Sequence, residues 1–443
     1  MRKLRAVTFL CCLISWTIET SAQEYPLEEC IRIALENNQQ LRNNMLEATA
    51  SHYRIKEVKS ELLPTVNIAG QFQYYKDIPS QYAPASAFGG PEGQFNKLTL
   101  NMRQTTAANI QVNQNIYNQA VFTGLKAAKV LQEATTLQVN VTRENIVYHV
   151  TATYYSIQVL RDNLVRLADN ISNLEKTIQI NVILKANELV AENIHNRMLI
   201  NLENLCNQYE NQKLQVDKNT TLLKNLMNID LHQPVVVKAF DYHADLFEPE
   251  SASVESRPDI QLQKVQLKLS EFDKKSIIAG YYPVLTNSFT FGYAGYYDEF
   301  APFKQINNDW IRSSYIQLTL KIPVFDGFRK QNQIKQKEIA IQKDLNTLSM
   351  MKSNATKEVE DASNDYLTNK NLFMSNKKSL ELAEQLFKSA QHEYENGLVS
   401  ITEFLDAQND LSNARTNYST ALLNLKLAEL SLKKANGTLV NNF

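Results

Sequence analysis

Proline and glycine are scarce in this sequence, at eleven each in 443 residues. No proline occurs between Glu92 and Gln233 or after Pro323, and no glycine between Leu125 and Ala279. Stretches without either residue lack turn chemistry, which excludes a fold of many short elements across them. Cysteine is also rare: Cys11 and Cys12 stand near the N-terminus, and Cys30 and Cys206 lie far apart. That excludes a disulfide framework and a cysteine metal site, and leaves two structural thiols. Charge is nearly balanced, with 46 basic and 47 acidic side chains, so nothing draws the chain as a whole to nucleic acid. No GxxxxGK, HExxH or GxSxG motif occurs, and the six histidines, His52, His149, His195, His232, His243 and His392, include no pair at i, i+4. Surface or packing roles fit them better than metal. An enzyme, a cofactor and a metal ion are therefore not expected.

The one sustained apolar run is at the start, where Arg2, Lys3 and Arg5 precede Ala6 to Ile18, followed by small residues at Thr20 and Ala22. The run is shorter than the ~18 residues a membrane helix needs, and its order fits a secretory leader over 1–22, cut after Ala22. Cys11 and Cys12 leave with it, too early to serve as a lipidation site, so no lipid anchor is expected. The mature chain, 23–443, keeps 43 basic and 46 acidic residues. No later run is long and apolar enough for a membrane helix, so entry into a bilayer requires a β-barrel.

What is present repeats. "LRNNMLEATASHYRIKEVKSELLP" (41 to 64) has its counterpart in "IQLQKVQLKLSEFDKKSIIAGYYP" (260 to 283), shifted by 219 residues. Further on, "VNQNIYN" at 112 matches "LKIPVFD" at 320, and "LVAENIHNRMLINLENL" at 189 matches "LVSITEFLDAQNDLSNA" at 398, with shifts of 208 and 209. The sequence thus reads as two copies of one unit, about 24–230 and about 257–437, joined by 229–256. The fall in the shift places the length difference in a loop before residue 112.

Each copy contains a predicted β-hairpin. "TVNIAGQFQY" (65 to 74) puts Val66, Ile68, Phe72 and Tyr74 on one face, and "ANIQVNQNI" (108 to 116) alternates as strictly. In "YIQLTLKIPV" (315 to 324), Ile316, Leu318, Leu320, Ile322 and Val324 oppose Tyr315, Gln317, Thr319 and Lys321; a less regular strand begins at Val284. Segments of about ten residues, polar on one side and apolar on the other, suit a membrane barrel, with Tyr74, Tyr75, Tyr281, Tyr282, Tyr296 and Tyr297 as an aromatic girdle. A soluble sandwich with one buried face shows the same alternation. Residues 77–105 and 298–312 read as loops.

The remainder reads as helix. From Ile341 to Tyr394 apolar and aromatic residues, among them Val359, Tyr366, Phe373, Leu380 and Phe387, recur about every 3.5 residues, the period of a left-handed coiled coil. Helices over 119–186 and 327–396 would each be about 100 Å long, so they must pack on each other and on further copies of the chain. Gly397, alone between Phe328 and Asn436, marks a hairpin tip where a left-handed residue closes one helix before the next.

The leader, the two copies of helix, hairpin, long helix, tip and return helix, and the motifs "SRPDIQLQ" (256 to 263), "IPVFDGF" (322 to 328) and "YENGLVSITEFLDAQNDLSNAR" (394 to 415) resemble the TolC-like outer membrane efflux protein family. Two positions differ between the halves: Glu188 stands opposite Gly397, and Asn115 opposite Pro323. The resemblance implies an α+β membrane protein, a homotrimer whose twelve strands, four per chain, form one barrel in the outer membrane lipid and continue into the periplasm as a coiled-coil tunnel. Residues 229–256 resemble the family's equatorial domain. Barrel geometry agrees with three copies, because eight strands leave an interior filled by side chains and twelve leave a lumen. The implied function is a passive exit duct for small molecules, docked to a periplasmic adaptor and an inner-membrane transporter. Type I protein secretion uses the same architecture, and a secreted coiled-coil scaffold is the alternative outside the channel class.

Two groups of residues are candidates for a role. Leu189, Val190, Gly397, Leu398 and Val399 form the tips, where apolar side chains suit either an adaptor's helical hairpin or local packing. Glu403, Asp406 and Asp410, at i, i+3 and i+7, lie along one helix stripe, which threefold symmetry would make rings of carboxylates at the tunnel entrance. A solvated acidic face fits the same spacing. The resemblance places Tyr394 and Asp406 in the contacts that constrict the periplasmic end. The first copy has Ile194, Arg197 and Asn201 where the second has the three acids.

Overall fold

A computed structural model describes residues 24–186, 192–239, 253–300, 310–396 and 398–442. The leader and the tip residues Leu189, Val190 and Gly397 lie outside the described residues. In chain order the elements are β1 (Glu24–Tyr25), α1 (Leu27–Asn37), α2 (Gln39–Ser60), β2 (Thr65–Tyr74), β3 (Gln81–Pro84), β4 (Phe95–Leu98), β5 (Gln104–Asn118), α3 (Gln119–Ala186) and α4 (Glu192–Met227). There follow β6 (Val236–Val237), α5 (Pro258–Ala279), β7 (Val284–Tyr297), β8 (Ile311–Lys321), α6 (Arg329–Glu395) and α7 (Ile401–Ala435). The two long helices, of 68 and 67 residues, occupy the stretches that lack proline. Contacts divide the chain into two units, one of Asn44–Val139 with Pro258–Lys352, the other of the residues up to Asn43, Asn140–Arg257 and those from Ser353.

The first of these units is built on an antiparallel sheet in the order β2-β5-β7-β8. Its register aligns the strands' apolar faces. Ile68 sits opposite Ile110, Ile110 opposite Phe291, Val112 opposite Phe289, and Phe289 opposite Ile316. Directly paired residues point to the same side of a sheet, so these side chains make one continuous apolar face. Asn67, Gln111, Thr290 and Tyr315 are aligned on the other. Ile68, Ile316, Leu318 and Leu320 are nevertheless exposed, and β2 and β8 leave both edges of the sheet unpaired. A bulge between Asn115 and Tyr117 in β5 shifts the register by one residue, leaving Tyr117 beside Leu285.

Residues 77–105 are not simply a loop. β3 and β4 pair antiparallel, Ser80 and Thr99 meet at 3.2 Å at the base, and a short 3-10 turn, Ala85–Phe88, joins the arms. Proline and glycine pointed to a loop because Pro84 cannot donate to a ladder. It is accommodated as the last residue of a four-residue strand in a two-stranded ribbon.

The other unit packs helix against helix and ties the start of the chain to its middle. β1 pairs parallel with β6, the Tyr154 hydroxyl donates to the Tyr25 carbonyl at 2.9 Å, and Arg161 donates to the carbonyl of Val237 at 3.0 Å. Cys30 is fully buried against this layer, and burial, with Glu29 and Glu28 nearby, pushes its thiol up to about 12. Along α6 and α7 the spacing produces its seam: Ala362 and Tyr366 pack with Leu425, Ala428 and Leu432, and Leu380 packs with Leu411, Tyr418 and Leu422. Thr438 and Gly437 donate to the carbonyls of Lys433 and Lys434 and close α7, with Gly437 at φ 68°. Arg257 lies on that turn and holds Glu358 at 2.7 Å.

A Cβ on Gly437 would come within 3.3 Å of Arg257 Cγ in a left-handed backbone. Gly437→Ala is expected to destabilise by about 1–2 kcal/mol, read as a lower thermal midpoint at fixed scan rate; an unchanged midpoint would mean that the turn relaxes freely.

Candidate functional site

At the tip end of the helices, α7 starts with a cap: Ser400 Oγ accepts from the Glu403 backbone N–H at 3.2 Å, with a glutamate three residues beyond the cap. Glu403 thus stands in the first turn, where the helix dipole favours a carboxylate. The preceding turn is closed by the Leu398 N–H donating to the Glu393 carbonyl at 2.8 Å, which leaves the Leu398 side chain 75% exposed and Val399 half-buried.

Tyr394 and the acids go different ways. The Tyr394 ring stacks on Phe404 at 5.2 Å and 14°, Phe404 meets Phe387 at 5.6 Å, and Met198 and Ile401 complete an apolar core to which α3 adds Ile178 and α4 adds Ile194. All four long helices of the chain contribute to it. Glu403, Asp406 and Asp410 are exposed. Asp406 lines a shallow groove of about 200 Å³ between α4 and α7, with Arg197, Asn201 and Thr402. The acidic stripe therefore has a cation of the first half as its neighbour: the residue that corresponds to Asp406 in the repeat shares its groove.

Sequence reading missed the buried polar groups of these helices. Asn181 of α3 is fully buried and neither atom of its amide finds a hydrogen-bond partner among the described residues; the same holds for the Tyr394 hydroxyl, His195 Nδ1 and Gln408 Oε1. Burial pushes the Tyr394 hydroxyl above its ordinary pKa, and the nearby Asn181 side chain acts in the other direction. The only signal was an asparagine in an otherwise apolar seam, which reads equally as an exposed interruption. Farther along the α4–α7 groove, Arg166, Arg415 and side-chain amides line a hollow of about 330 Å³. Arg415 donates to Asn170 at 3.2 Å, and burial together with Arg166 holds its pKa below the usual arginine value. Among the described residues no cluster of histidine, cysteine and carboxylates has metal-binding geometry, and no helix is long and apolar enough to cross a membrane.

Buried polar atoms without partners cost about 1–3 kcal/mol each when no bond forms. Asn181→Leu is therefore expected to raise the thermal midpoint of the assembled protein, and a fall would mean that assembly or water completes the amide's bonds.

The sequence model of the outer membrane efflux protein family matches residues 251–438. No curated protein sequence matches the chain. Solved structures do: the CmeC outer membrane channel of Campylobacter jejuni at 16% identity, with a TM-score of 0.76 over 93% of this chain and 85% of its own; the outer membrane protein VceC of Vibrio cholerae at 16%, 0.74, 93% and 96%; and the MtrE outer membrane channel of Neisseria gonorrhoeae in its open state at 17%, 0.73, 93% and 89%. At these identities the likeness establishes the fold. The second half of the chain thus carries the outer membrane efflux protein sequence pattern, and 93% of the chain shares the fold of these outer membrane proteins.

Proposed function

We propose that three copies of this chain form a passive exit duct in the outer membrane of a double-membraned bacterium, through which small molecules leave. The observation that carries this reading is the four-stranded sheet, apolar on one face, polar on the other and unpaired at both edges. In lipid both edges need partners, and three copies joined β8 to β2 close a barrel wide enough for a polar lumen. The purified protein in mild detergent should be a trimer by native mass spectrometry, and a stable membrane-inserted monomer would overturn the reading.

A duct without a nucleotide site needs its driving force from an inner-membrane transporter, reached through a periplasmic adaptor. Leu398, three-quarters exposed on the turn before α7, supports docking at the tips. Leu398→Asp is expected to abolish crosslinking to the adaptor while trimer yield stays at the wild-type level; a lost trimer would assign Leu398 to local packing.

Glu403, Asp406 and Asp410 in three copies would make the entrance attractive to cations, tempered by Arg197 beside Asp406. Glu403→Gln with Asp406→Asn should lower cation selectivity in planar bilayers and weaken block by multivalent cations added from the tip side. Unchanged selectivity and block would put the stripe outside the pore.

A further inference from the structure

The hollow farther along the helices gathers two guanidinium groups whose hydrogen bonds and charge the chain only partly answers. It lies within one unit of the chain, between α3, α4 and α7, and encloses about 330 Å³. α3 supplies Arg166, α7 supplies Arg415, and α4 contributes the amides of Gln208, Asn211 and Gln215. Among the described residues no carboxylate lines it. Arg415 is set in place by Asn170, itself buried, whose side-chain carbonyl accepts from Nη1 at 3.2 Å. A guanidinium carries five N–H donors, and the others here are poorly served. Nε is buried without a hydrogen-bond partner among the described residues, and Glu384 stands 3.9 Å from Nη2, beyond hydrogen-bond range.

The charges nearby do not settle the account. Arg166 is paired along its own helix with Asp162, 2.8 Å from Nε to Oδ2, and so brings only part of its charge to the hollow. At Arg415, burial and then the charge of Arg166 outweigh the opposing pull of Glu384, Asp169 and Asp162, and the guanidinium is held below its usual pKa. A cation in the hollow would add to that repulsion, and an apolar ligand would leave the buried donors unbonded. Water can accept from Nε but brings no negative charge. A small oxyanion does both, since a guanidinium gives it charge-assisted bonds in a planar fork and amide NH2 groups add neutral ones. The volume is at the low end of ligand cavities, which suits a small molecule. We propose that this hollow binds a small oxyanion, a carboxylate or a phosphate, which bridges Arg166 and Arg415 and so ties α3 to α7. The site is complete within one chain and stands independently of the duct reading.

The test is equilibrium dialysis of the full-length protein in detergent against radiolabelled succinate and against radiolabelled inorganic phosphate, at fixed ionic strength in chloride. Saturable binding of about one probe molecule per chain is expected, weakened at least about ten-fold by Arg415→Gln and by Arg166→Gln. Arg54→Gln, which changes an exposed arginine elsewhere, should leave binding as it was. Stronger binding of succinate makes the site a carboxylate site, and stronger binding of phosphate makes it a phosphate site; either supports the oxyanion. The wild-type protein gives a second reading that needs no folded variant. Bound probe should slow the modification of Arg166 and Arg415 by phenylglyoxal several-fold, followed by peptide mass spectrometry, and leave the rate at Arg54 unchanged. The same probe should raise the thermal midpoint of the wild-type protein, an effect absent from Arg415→Gln, because the anion holds two helices together. Absence of saturable binding up to about 10 mM probe, or binding indifferent to both substitutions, would overturn the site. So would saturable binding that protects neither arginine.

Discussion

A hydrocarbon interior offers a peptide group nothing to bond with, and the rest of this structure depends on how that constraint is met. Four strands pair among themselves in the order β2-β5-β7-β8 and leave a row of N–H and C=O groups along each outer edge. In water those groups are satisfied by solvent, and the sheet would be open to aggregation. In a membrane they must be satisfied by protein, a need that the proposed trimer would meet. In that reading lipid would lie against Ile68, Phe289 and Ile316, and water against Asn67, Gln111 and Gln317.

The helices meet a related demand by a different force. They are polar overall, with mean hydropathy of the chain at −0.35, so no single helix can bury enough surface to be stable alone. Pairing α6 with α7 covers the seam through Tyr366, Leu380, Leu425 and Leu432. It leaves Leu367, Leu372, Leu382 and Leu386 of α6 exposed in the single chain. Those exposed leucines, like the free sheet edges, are what the proposed assembly of several copies would cover. Toward the tips the packing is less complete in its polar bonds, where atoms of Asn181, Gln408 and the Tyr394 hydroxyl are buried without partners among the described residues.

Much of the fold could be read from periodicity because it depends on local rules. β2 occupies 65–74 and α3 119–186, as alternation and the lack of breakers indicate. The motifs that carried the resemblance lie within the segment that the family model matches. The ribbon of β3 and β4 escaped notice because four-residue strands with a terminal proline carry too few residues to show a period. The candidate site was half legible. Exposure of Leu398 follows from its place on the turn before α7, and the common stripe of Glu403, Asp406 and Asp410 from helical spacing. The stacking of Tyr394 on Phe404 and the closeness of Arg197 to Asp406 join residues from different helices, and no local pattern encodes them.

By itself the sequence determined which residues are helical, which alternate in strands, and which face of each strand is apolar, since these depend on side-chain chemistry and spacing along the chain. Only the tertiary structure decided that the four apolar strand faces line up as one surface, that Asn181 is fully buried, and that Phe328 occupies a left-handed backbone while largely exposed. The physical reason is the same in each case. Register, enclosure and a backbone held against its preference are set by contacts between segments distant in sequence, and the energy of such a contact belongs to the pair and not to either residue alone.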